Sequence, residues 1–217
     1  NPVIHICSSS EVYGQVSEDE VPITESCPFR PASPYAVSKV GEDMVAFQYW
    51  VSYKIKTIRT RMFTHTGPRR GDVFAMSFFG KQIAAAELGL KEPIIHVGNL
   101  KSIRTFCDVR DAVKAYWLLV NKCKPGEVYN IGGDATLTIG EALEKMLSFS
   151  RKKCEIKVDP NLLRPSDVTL QIPSTEKFSK ETGWKPEIPL EKTLRDILDY
   201  WRDELSRCPW KALTVEK

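Results

Sequence analysis

Val3-Ile4-His5-Ile6-Cys7-Ser8-Ser9-Ser10-Glu11 passes from an apolar, β-branched run into a polar cluster. The run has the composition of a strand buried on both faces of a parallel sheet. Ser8 to Glu11 then stand at the carboxyl end of that strand, where open α/β sheets place their ligands. Downstream, Ser33-Pro34-Tyr35-Ala36-Val37-Ser38-Lys39 opens a helix that continues to about Tyr53. Tyr35 and Lys39 are four apart, so their side chains leave one face a turn apart and set an ammonium beside a phenol. A phenol with its ordinary pKa of about 10 is a poor base at neutral pH, and a nearby cation stabilises the phenolate. Such a pair suits removal of a hydroxyl proton while a hydride leaves the same carbon.

Outward from this stretch, sheet and helix alternate. Val37, Val40, Met44, Phe47 and Val51 recur at helical spacing and form the expected buried stripe of the first helix. Ile55 to Phe63 reads as the next strand, completing a strand, helix and parallel strand crossover. A helix from Val73 to about Gly89 follows, then a short strand Ile94-Ile95-His96-Val97. A helix capped by Asp108 runs to Asn121, and Val128-Tyr129-Asn130-Ile131 is a further strand. Thr138 and Glu141 carry the pattern of a capping box for a helix to Phe149. Ser174 is the expected cap of a short helix ending at Gly183. In the last helix Leu190, Leu194, Ile197, Leu198, Trp201 and Leu205 make one apolar stripe.

Composition narrows the function classes. The 217 residues are 42% hydrophobic and 27% charged, ordinary for a globular chain with a sizeable core. The net charge of +3 is dispersed, which argues against a nucleic-acid face, since that would need a concentrated basic stripe. Arg69-Arg70 is local and suits one phosphate. The six cysteines form no C-x-x-C pair and there are three histidines, so neither a metal site nor a disulfide framework is expected, and a reducing cytoplasm is. No apolar run approaches the roughly 20 residues that span a bilayer, so no membrane partner is expected.

A strand ending in Ser-Ser-Ser-Glu-Val-Tyr-Gly, followed by Ser-Pro-Tyr-Ala-Val-Ser-Lys, resembles the extended short-chain dehydrogenase/reductase family and its nucleotide-sugar dehydratases and reductases. Thr64-His65-Thr66-Gly67-Pro68-Arg69-Arg70-Gly71 resembles the Asn-His-Glu-Ser-Pro-Arg-Arg-Gly loop of GDP-mannose 4,6-dehydratases. Gly98-Asn99-Leu100 with Arg104, and Asp108-Val109-Arg110-Asp111, resemble that group and the related GDP-4-keto-6-deoxymannose reductases. So do Leu163-Arg164-Pro165-Ser166-Asp167-Val168 and Thr182-Gly183-Trp184-Lys185-Pro186. The matches keep the family's order along most of the chain.

The resemblance implies an α/β fold: the carboxyl-terminal part of a Rossmann-like doubly wound parallel sheet, from residues 1–63 and 108–131. A smaller mixed α/β lobe for the nucleotide sugar would come from residues 64–107 and 132–217. In the family a Gly-rich turn holding the dinucleotide pyrophosphate lies upstream of the matched region, and the sequence contains no G-x-G-x-x-G. The chain thus resembles the carboxyl-terminal two-thirds of such an enzyme.

The activity implied is conversion of GDP-mannose to GDP-4-keto-6-deoxymannose by internal hydride transfer through NADP, with NAD the alternative cofactor. Under that resemblance Tyr35 takes the proton of the sugar C4 hydroxyl, Lys39 holds the phenolate and the nicotinamide ribose, and Ser9 donates to the same sugar oxygen. Glu11 removes the C5 proton and hands a proton to the departing C6 hydroxyl. An acid at that position favours a dehydratase over a 4-epimerase. His65 and Arg70 are carried onto cofactor contacts, and Ser10, Arg104 and Arg164 onto the substrate. The arginines suit phosphate because their fixed fork binds two oxygens at once. A homodimer or homotetramer is implied. Thr64, Thr66 and Thr105 replace the family's Asn, Glu and Asp, which alters the sugar contacts, and Thr182 to Trp201 lies closer to the reductases. Reduction of the 4-keto sugar with NAD(P)H is therefore the second reading. An inactive folded fragment or oligomerisation partner is the third.

Overall fold

The structure is a computed structural model, and it describes residues 2–163 and 167–213. Along the chain run β1 (Ile4–Cys7), α1 (Pro34–Tyr53), β2 (Thr57–Met62), β3 (His65–Thr66), α2 (Ala75–Glu87), β4 (Ile94–Val97), β5 (Ile103–Asp108) and α3 (Val109–Lys122). Then come β6 (Val128–Ile131), β7 (Ala135–Thr138), α4 (Ile139–Leu147), β8 (Glu155–Val158), β9 (Leu170–Gln171), α5 (Glu176–Thr182) and α6 (Leu190–Arg207). One sheet has the parallel order β1-β2-β6, with Cys7 opposite Thr60 and Arg61 opposite Asn130. A second sheet has the order β3-β5-β7, with β9 pairing in parallel with β5. The α/β class with parallel strands is the one expected.

The chain divides into two compact units, residues 1–65, 103–136 and 166–187 in the first and 66–102, 137–165 and 188–217 in the second. In the first, α3 and α5 close over the sheet, and Ile58, Leu119, Tyr129, Ile131 and Phe178 are buried in its core. A separate cluster of Val12, Tyr13, Ile23 and Phe63 anchors the turn after β1.

Two expectations fail in this unit, for physical reasons. The stripe of Val37, Met44, Phe47 and Val51 on α1 is exposed, and Ala36, Asp43 and Ala46 are buried instead. The buried face is rotated from the apolar stripe by one residue, about 100° around the helix. Ion pairs from Arg59 and Arg61 on β2 draw Asp43 inward, and the small alanines let the helix approach the sheet. β1 also differs from a strand buried on both faces: Ile4 and Cys7 are exposed, and β1 pairs only with β2 among the described residues.

In the second unit α2, α4 and α6 pack on one another, with β4 and β8 as a parallel pair. The whole expected stripe of α6 is buried. Gly80 on α2 permits the close approach, since a Cβ there would lie 3.0 Å from Ile197 Cγ2. The capping box of Thr138 and Glu141 forms as expected, whereas α5 starts after Thr175 rather than after Ser174. No described helix is long and apolar enough to cross a membrane.

Arg202 on α6 forks onto the Glu87 carboxylate at the end of α2, with contacts of 2.7 and 2.8 Å. Burial alone would raise the Glu87 carboxyl, and the Arg202 fork and the Arg151 N–H outweigh it, holding Glu87 below the usual carboxylate range. A depressed folded pKa contributes stability above the unfolded value, about 4.3 for Glu, that is lost as the pH falls through the folded value. The melting temperature of Arg202→Leu is therefore expected to fall less steeply than that of the native protein as the pH is lowered below about 4.3. Parallel acid limbs in a thermal melt series would contradict this.

Candidate active site

The site grows from two helix starts in the first unit. Ser33 caps α1 by accepting from the Ala36 N–H at 3.1 Å, and Pro34 fills the first helical position, where its missing N–H and fixed φ cost nothing. This puts Tyr35 in the first turn and Lys39 one turn on. The Lys39 Nζ lies 5.8 Å from the centre of the Tyr35 ring. It donates to the Cys7 carbonyl at 3.1 Å, at the carboxyl end of β1, and to both oxygens of Glu42 at 2.9 and 3.1 Å. Glu42, through its hydrogen bond and charge, raises the Lys39 pKa, burial works against it, and Tyr35 adds to the rise. The ammonium thus stays charged under the conditions in which it would support a phenolate.

On the other side, Ser10–Tyr13 forms a single 3-10 turn. Ser9 caps it in extended backbone, its Oγ accepting from the Glu11 N–H at 3.2 Å. Capping uses a lone pair and leaves the hydroxyl proton able to donate to a ligand. The turn ends at Gly14, with φ of +62°, where a Cβ would fall 1.8 Å from the Arg30 carbonyl oxygen, so only glycine fits. Ser10 is buried and donates to Gln171 Oε1 at 3.2 Å, and Gln171 Nε2 donates to Glu11 Oε1 at 3.1 Å.

The two sides meet through Lys39, whose side chain reaches Cys7 and whose carbonyl accepts from the Ser8 hydroxyl at 3.5 Å. Tyr35 is 55% exposed, and none of its hydrogen bonds goes to Ser9 or Glu11. An open phenol is compatible with a catalytic base, because such hydrogen bonds commonly tighten only with substrate present.

The remaining candidates are dispersed. His65 on β3 has Nδ1 3.3 Å from the Phe63 carbonyl. Arg104 on β5 is tied to its own chain: its guanidinium donates to the Ile103 and Val168 carbonyls and stands 3.8 Å from Asp167. In the second unit the Arg70 guanidinium lies 3.8 Å over the Phe74 ring, and its carbonyl accepts from Ser77. Arg164 falls outside the described residues.

Sequence reasoning missed the network under the site. Asp43, one turn beyond Lys39, accepts from Arg59 at 3.0 Å and from Arg61 at 2.8 Å, and all three side chains are buried. Arg61 also donates to the Tyr13 hydroxyl at 3.0 Å, which donates to Asn130 Oδ1 at 2.7 Å. Burial, opposed by Arg61, pushes the Tyr13 phenol up to about 12. The network therefore joins the helix of Tyr35 and Lys39 to the turn of Ser9 and Glu11. Its signal was present in sequence: Arg59 and Arg61 alternate onto one face of a buried strand, which demands a buried carboxylate.

Comparison with known proteins bears on the same features. Residues 2–197 match the family model described as GDP-mannose 4,6 dehydratase. The GDP-6-deoxy-D-mannose reductase of Pseudomonas aeruginosa is 33% identical over 198 residues, 91% of this chain and 65% of that one. The GDP-mannose 4,6-dehydratase of Yersinia enterocolitica is 28% identical over 88% of this chain and 58% of its own length. The solved structure of RMD from Pseudomonas aeruginosa, complexed with NADPH, superposes with a TM-score of 0.87 at 32% identity, covering 92% of this chain and 66% of that one. The chain spans less than two-thirds of the length of the two curated relatives. With a Rossmann-like parallel sheet and a family match over most of its length, the chain belongs to the GDP-mannose 4,6-dehydratase family of extended short-chain dehydrogenases/reductases.

Proposed function

We propose that this chain carries the catalytic centre of an NADP-dependent enzyme acting on a GDP-sugar, and that its reaction is the 4,6-dehydration of GDP-mannose. The observation that carries this reading is Glu11: a carboxylate held by Gln171 at the mouth of β1, on the turn that Ser9 caps, with Lys39 tying the helix of Tyr35 to the end of the same strand.

The residues fit the cofactor at one end. Lys39 is a charged donor at the strand's carboxyl end, paired with an exposed Glu42 that a ribose hydroxyl can replace, and the phenol beside it is open. The likeness to a structure complexed with NADPH supports NADP, with NAD the alternative. NADP, when bound, supplies the temporary hydride store that oxidation at C4 and reduction at C6 require. Tyr35, its phenolate stabilised by Lys39, takes the proton from the C4 hydroxyl, and Ser9 donates to that oxygen. The C4 ketone acidifies C5. Glu11 takes the C5 proton and passes it to the C6 hydroxyl, which leaves as water, and as C6 is reduced Glu11, reprotonated from solvent, returns a proton to C5.

A second reading, reduction of the 4-keto sugar by NADPH, is supported by the higher identity to the reductase, 33% against 28% for the dehydratase. The two separate in one assay. The full-length protein incubated with GDP-mannose and NADP, without added reductant, is expected to yield the 4-keto-6-deoxy sugar. Turnover confined to the keto sugar plus NADPH would replace the dehydratase reading with the reductase one.

A further inference from the structure

We propose that Gln171 is the positioning residue of Glu11, fixing which carboxylate oxygen meets the C5 proton. This rests on the dehydratase reading above. Gln171 lies in the two-residue strand β9, opposite Arg104 on β5, and is 2% exposed. Its Nε2 donates to Glu11 Oε1 at 3.1 Å and its Oε1 accepts from the Ser10 hydroxyl at 3.2 Å. An ionised carboxylate only accepts, so the NH2 end of the amide must face Glu11, and the Ser10 hydroxyl fixes the other end. An amide satisfied at both ends in the interior has one orientation.

Two consequences follow for the chemistry. Oε1 of Glu11 is engaged, which leaves Oε2 to exchange the proton. The position of Oε2 is then set by the β5–β9 pairing rather than by the short loop that carries Glu11. Placement at that precision matters, because a general base works only within hydrogen-bond reach of its proton. Gln171 touches no reacting atom in this scheme. It acts through Glu11, and so its loss should appear in turnover rather than in substrate binding.

The test uses the full-length protein with GDP-mannose and NADP. Gln171→Leu keeps the bulk and removes both hydrogen bonds. Its kcat is expected to fall roughly ten- to a hundredfold, the rate equivalent of one hydrogen bond to a charged group, with KM for GDP-mannose within about twofold of native. Gln171→Glu restores a donor only when the new carboxyl is protonated, and two carboxylates this close share a proton. Its kcat is expected to rise relative to native as the pH is lowered from about 8 to about 6. A purely structural role does not produce that pH dependence. Native kcat in Gln171→Leu, or a low kcat in Gln171→Glu whose pH profile parallels the native one, overturns the inference and leaves the dehydratase reading standing. If Gln171→Leu does not fold, the Gln171→Glu profile decides. A native protein that leaves GDP-mannose unchanged overturns the dehydratase reading and this inference together.

Discussion

Asp43→Ala is expected to destabilise the protein by about 3–5 kcal/mol, more than any single apolar truncation on α1. The Asp43 side chain has no exposure, and its two partners, Arg59 and Arg61, expose 6% and 5% of theirs. Removing the carboxylate leaves two buried guanidinium groups side by side without their shared ion-pair partner and mutually repelling, with only neutral acceptors left: the Gly126 carbonyl for Arg59, and the Tyr13 hydroxyl and Glu25 carbonyl for Arg61. Asp43 accepts from both guanidinium groups and offsets most of their desolvation, with the Glu127 charge adding a smaller share at Arg59. The cost comes from the orphaned cations, not from a large net gain of the native ion pairs. Replacing all three together, as Asp43→Leu with Arg59→Met and Arg61→Met, is therefore expected to recover most of the loss. Urea midpoints of the single and triple variants check both halves. An Asp43→Ala protein within about 1 kcal/mol of native would mean that water or a shift of α1 relieves the charges.

Tyr35→Phe is expected to have the largest effect on activity, lowering kcat by roughly 10²–10⁴-fold, the usual contribution of a positioned acid or base. The same substitution should leave stability within about 0.5 kcal/mol of native, because the residue is 55% exposed and its hydroxyl has no buried hydrogen-bond partner among the described residues. That contrast separates a reacting group from a structural one. Both the dehydratase and the reductase readings require it, since each moves a proton at the sugar C4 oxygen. A Tyr35→Phe protein with native kcat would remove Tyr35 from the chemistry. Lys39→Met is expected to follow Tyr35→Phe in direction. It should also loosen the link between α1 and the Cys7 carbonyl.

Much of this was legible in the sequence where a single physical rule governs a segment. The α6 stripe is read correctly because its apolar residues all face one way and nothing charged competes for the buried face. Ser33-Pro34 marks the start of α1 because cap and proline act locally, within one turn. The buried face of α1 was misread because the helix is apolar on more than one side, and an ion pair with β2, not periodicity, chooses between them. Gln171 was invisible for a different reason. β9 is two residues long and takes its conformation from pairing with β5, so no local pattern announces it, and its role depends on a contact 160 residues away. Glu42, which shares the Lys39 ammonium, was readable as an i,i+3 partner but carried no sign that it would compete with the phenol.

The central claim is that one phenol and one carboxylate of this chain act in turn on a single sugar ring. Converting GDP-mannose with the full-length protein and NADP in D2O, and locating deuterium in the product by NMR, tests this most directly. The account expects a 4-keto-6-deoxy product carrying solvent deuterium at C5, formed by the native protein and not by Glu11→Gln. Product formed by Glu11→Gln at the native rate, or GDP-mannose recovered unchanged from the native protein, would contradict it.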